Sequence, residues 1–102
     1  MDFSKAIATN IELPPMQAEA RNTILDINMG TKLTAAEKDD FYSKCGHFPA
    51  DIFLINDHCF TIICYTPDDW ELIPLTKQAS ERYRCQHLIN TSDLHHRSLT
   101  IH

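Results

Sequence analysis

Residues 51–65 read DIFLINDHCFTIICY, and this stretch decides the fold. Two runs of β-branched and aromatic residues flank Asn56 and Asp57, and both of these turn residues tolerate a positive φ. A two-residue turn at this point predicts an antiparallel β-hairpin. The predicted pairs are Ile55 with His58, Leu54 with Cys59 and Phe53 with Phe60.

Both faces of this hairpin are expected to be apolar, because alternate strand residues point to opposite faces. Strands of this kind are covered on both sides. Helices cover one face, and the sequence leaves open whether the same chain or a second chain covers the other. A dimer or an obligate complex with another protein is therefore one of the expected assemblies. One face carries Ile52, Leu54, Cys59, Thr61 and Ile63, and the other carries Phe53, Ile55, Phe60, Ile62 and Cys64.

Two helices are predicted before these strands. Prolines in the first turn of a helix lose no hydrogen bond, and apolar residues recur at helical spacing after Pro14 and Pro15. Thr34 and Glu37 form a capping box, in which each side chain accepts a hydrogen bond from the other residue's free backbone amide. Because the linker is short, we expect the helices to pack as a hairpin over residues 14–46. The helices run from Pro14 to Gly30 and from about Ala35 to Cys45.

The remaining segments complete a single α+β domain over residues 1–102. A third strand at Trp70–Ile73 extends the β-hairpin into a small three-stranded antiparallel sheet, and the alternative at residues 67–73 is a short helix. Good helix formers then predict a C-terminal helix. The predicted segments are a lead-in at 1–13, the helical hairpin at 14–46, the β-hairpin or meander at 49–73, the helix at 76–90, and a tail at 91–102. The last residues of the tail, SLTIH at 98–102, add an edge strand or fray.

The composition argues against several classes of protein. Only two glycines occur in 102 residues, so no glycine-rich phosphate loop can form. No segment has the roughly 20 apolar residues that cross a membrane, and the N-terminus does not resemble a secretory signal. We therefore expect a cytoplasmic protein with reduced thiols and no membrane partner.

Four cysteines and six histidines raise the question of a metal site. Their spacing is unlike that of zinc ligands, because no CxxC pair occurs. Residues two apart on a helix also lie about 200° apart around its axis, so such a pair cannot easily bind one metal ion. We therefore expect no cofactor, and we expect the cysteines to pack as small hydrophobic residues. The alternative is a zinc-stabilised regulatory or nucleic-acid-associated module whose ligands come from Cys45, His47, Cys59 and Cys85.

No catalytic residue is predicted, and we expect a protein that is not an enzyme. A cysteine nucleophile needs a base and positive charge that lowers the thiol pKa. Cys85 has such neighbours in the sequence, which are Arg82, Arg84 and His87. Cys45 is predicted at a helix C-terminus, where the helix dipole raises the thiol pKa. A small thiol enzyme that depends on Cys85 is a third hypothesis.

The charge is unevenly distributed along the chain. Residues 1–75 carry five Lys/Arg and twelve Asp/Glu, a net charge of −7, whereas residues 76–102 carry four and two, a net charge of +2. An acidic body repels a phosphate backbone, so nucleic acid is not the expected partner. The basic residues Lys77, Arg82 and Arg84 form a predicted basic helix face.

The single tryptophan lies among three acidic residues at a predicted loop, as Asp68-Asp69-Trp70-Glu71. An exposed Trp70 would anchor a protein partner while the acids steer a basic protein towards it. The alternative places Trp70 in the core. We expect a small acidic protein-binding modulator that inhibits or neutralises a larger, basic partner. Counter-defence and immunity proteins of phages and plasmids belong to this class, which makes interaction with a host protein the expected setting.

Overall fold

The structure, a computed structural model, describes residues 3–45 and 51–100. It contains three α-helices and a five-stranded antiparallel sheet in the order β1-β3-β4-β5-β2. The predicted α+β class is therefore confirmed, with two more strands than expected. The elements are β1 (Ile7–Ala8), α1 (Ala18–Ile24), a 3₁₀ turn (Ile27–Met29), β2 (Thr31–Lys32), α2 (Ala35–Cys45), β3 (Phe53–Ile55), β4 (His58–Thr66), β5 (Asp69–Pro74) and α3 (Lys77–Thr100).

The β3–β4 hairpin has the predicted register. Asn56 and Asp57 have φ values of 51° and 64°, the left-handed conformation that a tight hairpin turn requires. Because Asn and Asp both tolerate this conformation, a two-residue turn forms here, and the turn sets which residues of the two strands pair. The observed pairs are Ile55 with His58, Leu54 with Cys59 and Phe53 with Phe60.

The third strand is also confirmed, and the alternative of a short helix at residues 67–73 is wrong. β5 pairs with β4 from Phe60 to Thr66, and Pro67 and Asp68 form the turn between the two strands. The register shifts between Cys64 and Thr66. Tyr65 is therefore left unpaired as a bulge near the tip of the β4–β5 hairpin.

The predicted helical hairpin over residues 14–46 is wrong. α1 begins only at Ala18, ends at Ile24, and packs on the opposite face of the sheet from α2. The chain between them attaches to the sheet: Asp26 N–H donates to the Pro74 carbonyl, and β2 then pairs with β5 at the sheet edge. Pairing with the edge strand carries the chain from one face to the other.

Gly30 does not serve as the predicted end of a long helix. Its φ is −61°, which any residue adopts. A Cβ at this position would lie 2.6 Å from Cδ1 of the buried Ile73. The absence of a side chain is therefore needed for the close approach of this segment to β5.

Two core clusters lie on opposite faces of the sheet, because neighbouring residues of β5 belong to different clusters. α2 covers the first cluster, and α3 with residues 11–25 covers the second. One chain thus packs against both apolar faces of the β3–β4 hairpin, although Cys64, at the far end of one predicted face, is exposed. The first cluster contains Phe3, Leu33, Phe41, Cys45, Phe53, Ile55, Trp70 and Leu72, and the second contains Ile11, Leu25, Ile52, Leu54, Cys59, Ile73, Leu75 and Ala79.

The capping box at the start of α2 is confirmed. The Thr34 amide donates to Oε1 of Glu37 at 3.0 Å, and the Glu37 amide donates to Oγ1 of Thr34 at 3.2 Å. The bond from the Thr34 amide lowers the pKa of the Glu37 carboxyl. This reciprocal pair fixes the helix start that carries the α2 side chains onto the sheet.

α3 is longer than predicted and extends to Thr100 instead of ending at residue 90. The tail predicted after residue 90 is helical over residues 91–100, so the edge strand or frayed end is wrong for residues 98–100, and residues 101 and 102 lie outside the described residues. The sequence after Pro74 has neither glycine nor proline, the two residues that most strongly end a helix. Within the described part of the chain, no helix is long and apolar enough to cross a membrane.

Candidate partner-binding surface

Trp70 is a core residue and offers no exposed anchor, since only 5% of it is exposed. The indole packs beneath α2, with ring centroids 6.0 Å from Phe41 and 5.9 Å from Tyr42. The Nζ atom of Lys38 lies 5.3 Å from the centroid of the indole ring. Side chains of β5 point alternately to the two faces of the sheet, so Trp70 lies on the same face as Leu72. α2 crosses that face.

The three acids that flank Trp70 in the sequence remain at the surface, at the tip of the β4–β5 hairpin. Asp68 is exposed in the turn, and its carbonyl accepts a hydrogen bond from Nζ of Lys38. Oδ1 of Asp69 lies 3.6 Å from Nζ of Lys32 at the solvent-exposed edge. The tip thus combines three carboxylates with two nearby lysines and keeps a net negative charge.

Two exposed tyrosines lie on this part of the molecule, one in contact with Glu71 and the other in contact with Trp70. Tyr65 is 58% exposed, and its hydroxyl donates to Oε2 of Glu71 at 3.0 Å. This hydrogen bond raises the pKa of the Tyr65 phenol. Tyr42 of α2 is 59% exposed and packs edge-on against Trp70. Each ring is oriented by one contact and leaves most of its surface free for a partner.

We call these five residues, Tyr42, Tyr65, Asp68, Asp69 and Glu71, the hairpin-tip surface. The acids are recognisable in the sequence, but the tyrosines are not, because neither a strand bulge nor a position on a helix marks a residue as exposed. Glu71 pairs with Ile63 in β5 and lies on the α3 side of the sheet, whereas Tyr42 lies on the α2 side. The surface therefore surrounds the hairpin tip from both faces.

The predicted basic helix face does not form as one surface. Lys77 and Arg84 are seven residues apart on α3 and share a side of the helix, but Arg82 lies about 140° around the axis from Lys77. Arg84 is half-buried, while Arg82 is exposed and lines a small groove beside Ile24 of α1. Arg82 therefore points away from the side of α3 that Lys77 and Arg84 share.

The residues of the zinc hypothesis are also separated. Cys45 packs in the first core cluster and Cys59 in the second, so the sheet lies between them. Cys85 is exposed on α3, and His47 lies outside the described residues. In residues 3–45 and 51–91, no group of three or more His, Cys, Asp or Glu side chains is arranged to hold a metal ion.

The four thiols are expected to differ sharply in reactivity. Burial raises the pKa of the Cys45 and Cys59 thiols, whereas Cys64 and Cys85 are exposed. We predict that a maleimide reagent at neutral pH labels Cys64 and Cys85 rapidly and labels the other two only after unfolding. Mass spectrometry of the labelled peptides measures this. Equal labelling of all four thiols in the folded protein would contradict the placement of the core, and a rate at Cys85 far above that at Cys64 would support the thiol-enzyme hypothesis.

Comparison of the chain with protein-family models, with curated proteins and with solved structures gives no match. The function is therefore inferred from the surface of the molecule itself.

Proposed function

We propose that this chain is a small, acidic, non-enzymatic protein-binding modulator that covers a surface of a larger, basic partner protein. The observation that carries this proposal is the hairpin-tip surface, where two largely exposed tyrosines flank three carboxylates. Tyrosine is enriched among the residues that dominate binding energy in protein interfaces. A charged rim around such residues raises the association rate with a partner of opposite charge.

The rigidity of the elements that carry the two tyrosines strengthens the proposal. β4 and β5 pair up to the hairpin tip, and Trp70 fills the space beneath α2. The side chains of Tyr42 and Tyr65 are thus mounted on elements fixed by the core, which limits the conformational entropy that binding would cost. Such a surface suits recognition of a preformed partner surface.

The wider charge distribution supports a basic partner. Residues 1–75 carry a net charge of −7, so the body of the protein attracts positive charge at long range. Inhibition or neutralisation by occupying a partner's surface needs no catalytic group. We place this activity in the cytoplasm, where four free cysteines stay reduced, and among the counter-defence or immunity proteins of phages and plasmids.

Neutralising the acids of the hairpin-tip surface is expected to slow association with the partner. The variant combines Asp68→Asn, Asp69→Asn and Glu71→Gln, and the association rate constant should fall by about tenfold at low salt. The dependence of this rate on ionic strength should also flatten. Stopped-flow or surface-plasmon measurements at several salt concentrations test this, with the partner recovered by affinity capture on the intact chain.

A matched control removes three exposed acids elsewhere, through Glu12→Gln, Glu19→Gln and Glu81→Gln. This control changes the net charge by the same amount but leaves the hairpin tip unaltered. We expect it to slow association much less than the tip variant. Equal rates for the tip variant and the native chain would contradict the assignment of the surface.

A further inference from the structure

One side of β4 is open over part of its length. β4 spans nine residues, but β3 pairs with it only at His58, Cys59 and Phe60. On its other side, β4 pairs with β5 as far as Thr66. In the described part of the chain, residues 61–66 of β4 thus have a strand neighbour on one side only.

The hydrogen-bond directions identify which groups face the open side. The Cys59 amide donates to Oγ of Ser80, and the Cys59 carbonyl accepts from the Leu75 amide, so Cys59 points away from β3. Successive residues of an antiparallel strand direct their backbone groups to alternate sides. Ile62 and Cys64 therefore present their N–H and C=O groups to the open side.

A groove of about 440 Å³ runs along this edge. Its lining includes Pro14 and Pro15, which have no N–H and so cannot donate hydrogen bonds to the backbone carbonyls of β4. Asp51 closes one end, because its carbonyl accepts from Oγ1 of Thr61 and its carboxylate accepts from the Leu13 amide. Within residues 3–45 and 51–91, the groove thus leaves this side of the β4 backbone accessible.

We propose that an extended segment of the protein partner adds to this edge of β4 as a short strand. This inference rests on the proposed function and specifies how the partner is held. Backbone pairing with Ile62 and Cys64 supplies the affinity, in the manner of other proteins that accept a peptide at a sheet edge. The added strand spans about three residues, or roughly 10 Å.

The lining of the groove defines the chemistry of this segment. Met16, Leu25 and Ile63 line it and favour an apolar side chain at alternate positions of the added strand. Arg21 belongs to the same lining and disfavours a basic side chain inside the groove. The lining ends at Cys64, next to the hairpin tip, and the carboxylates of the tip favour a lysine or arginine where the segment leaves the groove. The proposed occupant is an alternating apolar segment that ends in a basic residue.

Amide hydrogen exchange of the isolated chain tests whether the edge is open. The Ile62 and Cys64 amides are expected to exchange at least about 100-fold faster than those of Thr61 and Ile63, which donate to β5. NMR resolves the individual amides. Equal protection of all four amides in the isolated chain would overturn the inference, because another part of the chain would then fill the groove.

A second experiment tests whether the edge binds a peptide. Peptides that bind the intact chain are selected from a displayed library of random ten-residue sequences. A selected peptide should slow exchange of the Ile62 and Cys64 amides. Cys64→Pro removes the amide that faces the groove, and Cys64→Ala retains it, so the proline variant should bind about fivefold to tenfold more weakly than the alanine variant. Proline is tolerated at an exposed strand edge.

Failure to select any peptide, binding that leaves both amides unchanged, or equal affinity of the proline and alanine variants would each overturn the inference. Neither exchange measurement depends on the acids of the hairpin tip. Slower association of the tip variant tests the proposed function, and protection of the Ile62 and Cys64 amides by a bound peptide tests this inference. Either one can therefore fail while the other holds.

Discussion

Phe41→Ala is expected to lower the free energy of unfolding by about 3–5 kcal/mol. Phe41 is 1% exposed and is the aromatic centre of the first core cluster. Its ring centroid lies 5.4 Å from Phe3, 4.9 Å from Phe53 and 6.0 Å from Trp70. Because a domain of this size is stable by only about 5–15 kcal/mol, this loss approaches the limit of folding. Urea unfolding followed by circular dichroism measures the change.

The neighbouring residue provides a matched control. Tyr42 is also aromatic and lies on α2, but it is 59% exposed, so Tyr42→Ala should cost less than about 1 kcal/mol. Phe41→Leu serves if the alanine variant does not fold, and it should give a smaller loss in the same direction. Equal costs at positions 41 and 42 would contradict the packing of α2 against the sheet.

Replacing both exposed tyrosines is expected to have the largest effect on partner binding. The double variant of Tyr42→Ala and Tyr65→Ala should weaken the complex by at least about 2 kcal/mol, or roughly 30-fold in Kd. Most of this change should appear as faster dissociation, since aromatic contacts form after the charged encounter. Surface-plasmon measurements with the captured partner give both rate constants.

Two large exposed side chains of α3 provide the control for this variant. Leu88 and Ile89 are 56% and 66% exposed, and their replacement by alanine removes apolar surface outside the hairpin tip. We expect this control to retain the native affinity. An unchanged dissociation rate for the tyrosine variant, or an equal loss in the control, would contradict the proposed binding surface.

The sequence predicted those parts of the fold that depend on local chemistry. Positive φ at Asn56 and Asp57 set the register of the β3–β4 hairpin, and the capping box set the start of α2. The helical hairpin was predicted wrongly because periodic apolar residues indicate which side of a helix is buried but not which face of the sheet buries it. β1 and β2 have two residues each, which is too short for an alternating pattern.

In the candidate surface, too, features set by local sequence could be predicted and features set by contacts between distant residues could not. The acids around Trp70 could be located from the sequence, because charged residues at a strand end are expected in solvent. Whether Trp70 was exposed depended on where α2 crosses the sheet, and that is set by contacts between distant residues such as Phe41 and Phe53. The exposure of Tyr65 depended on a bulge that has no sequence signature here.

Site-specific photocrosslinking tests the proposed surface most directly. A benzophenone amino acid is placed at Tyr65 in one variant and, as the control, at Gln86 on the exposed side of α3 in another. Both variants are then irradiated in cells that contain the partner. The hairpin-tip surface predicts one dominant crosslinked protein for the variant at position 65 and little or none for the variant at position 86. Crosslinking at position 86 that equals or exceeds crosslinking at position 65 would contradict it.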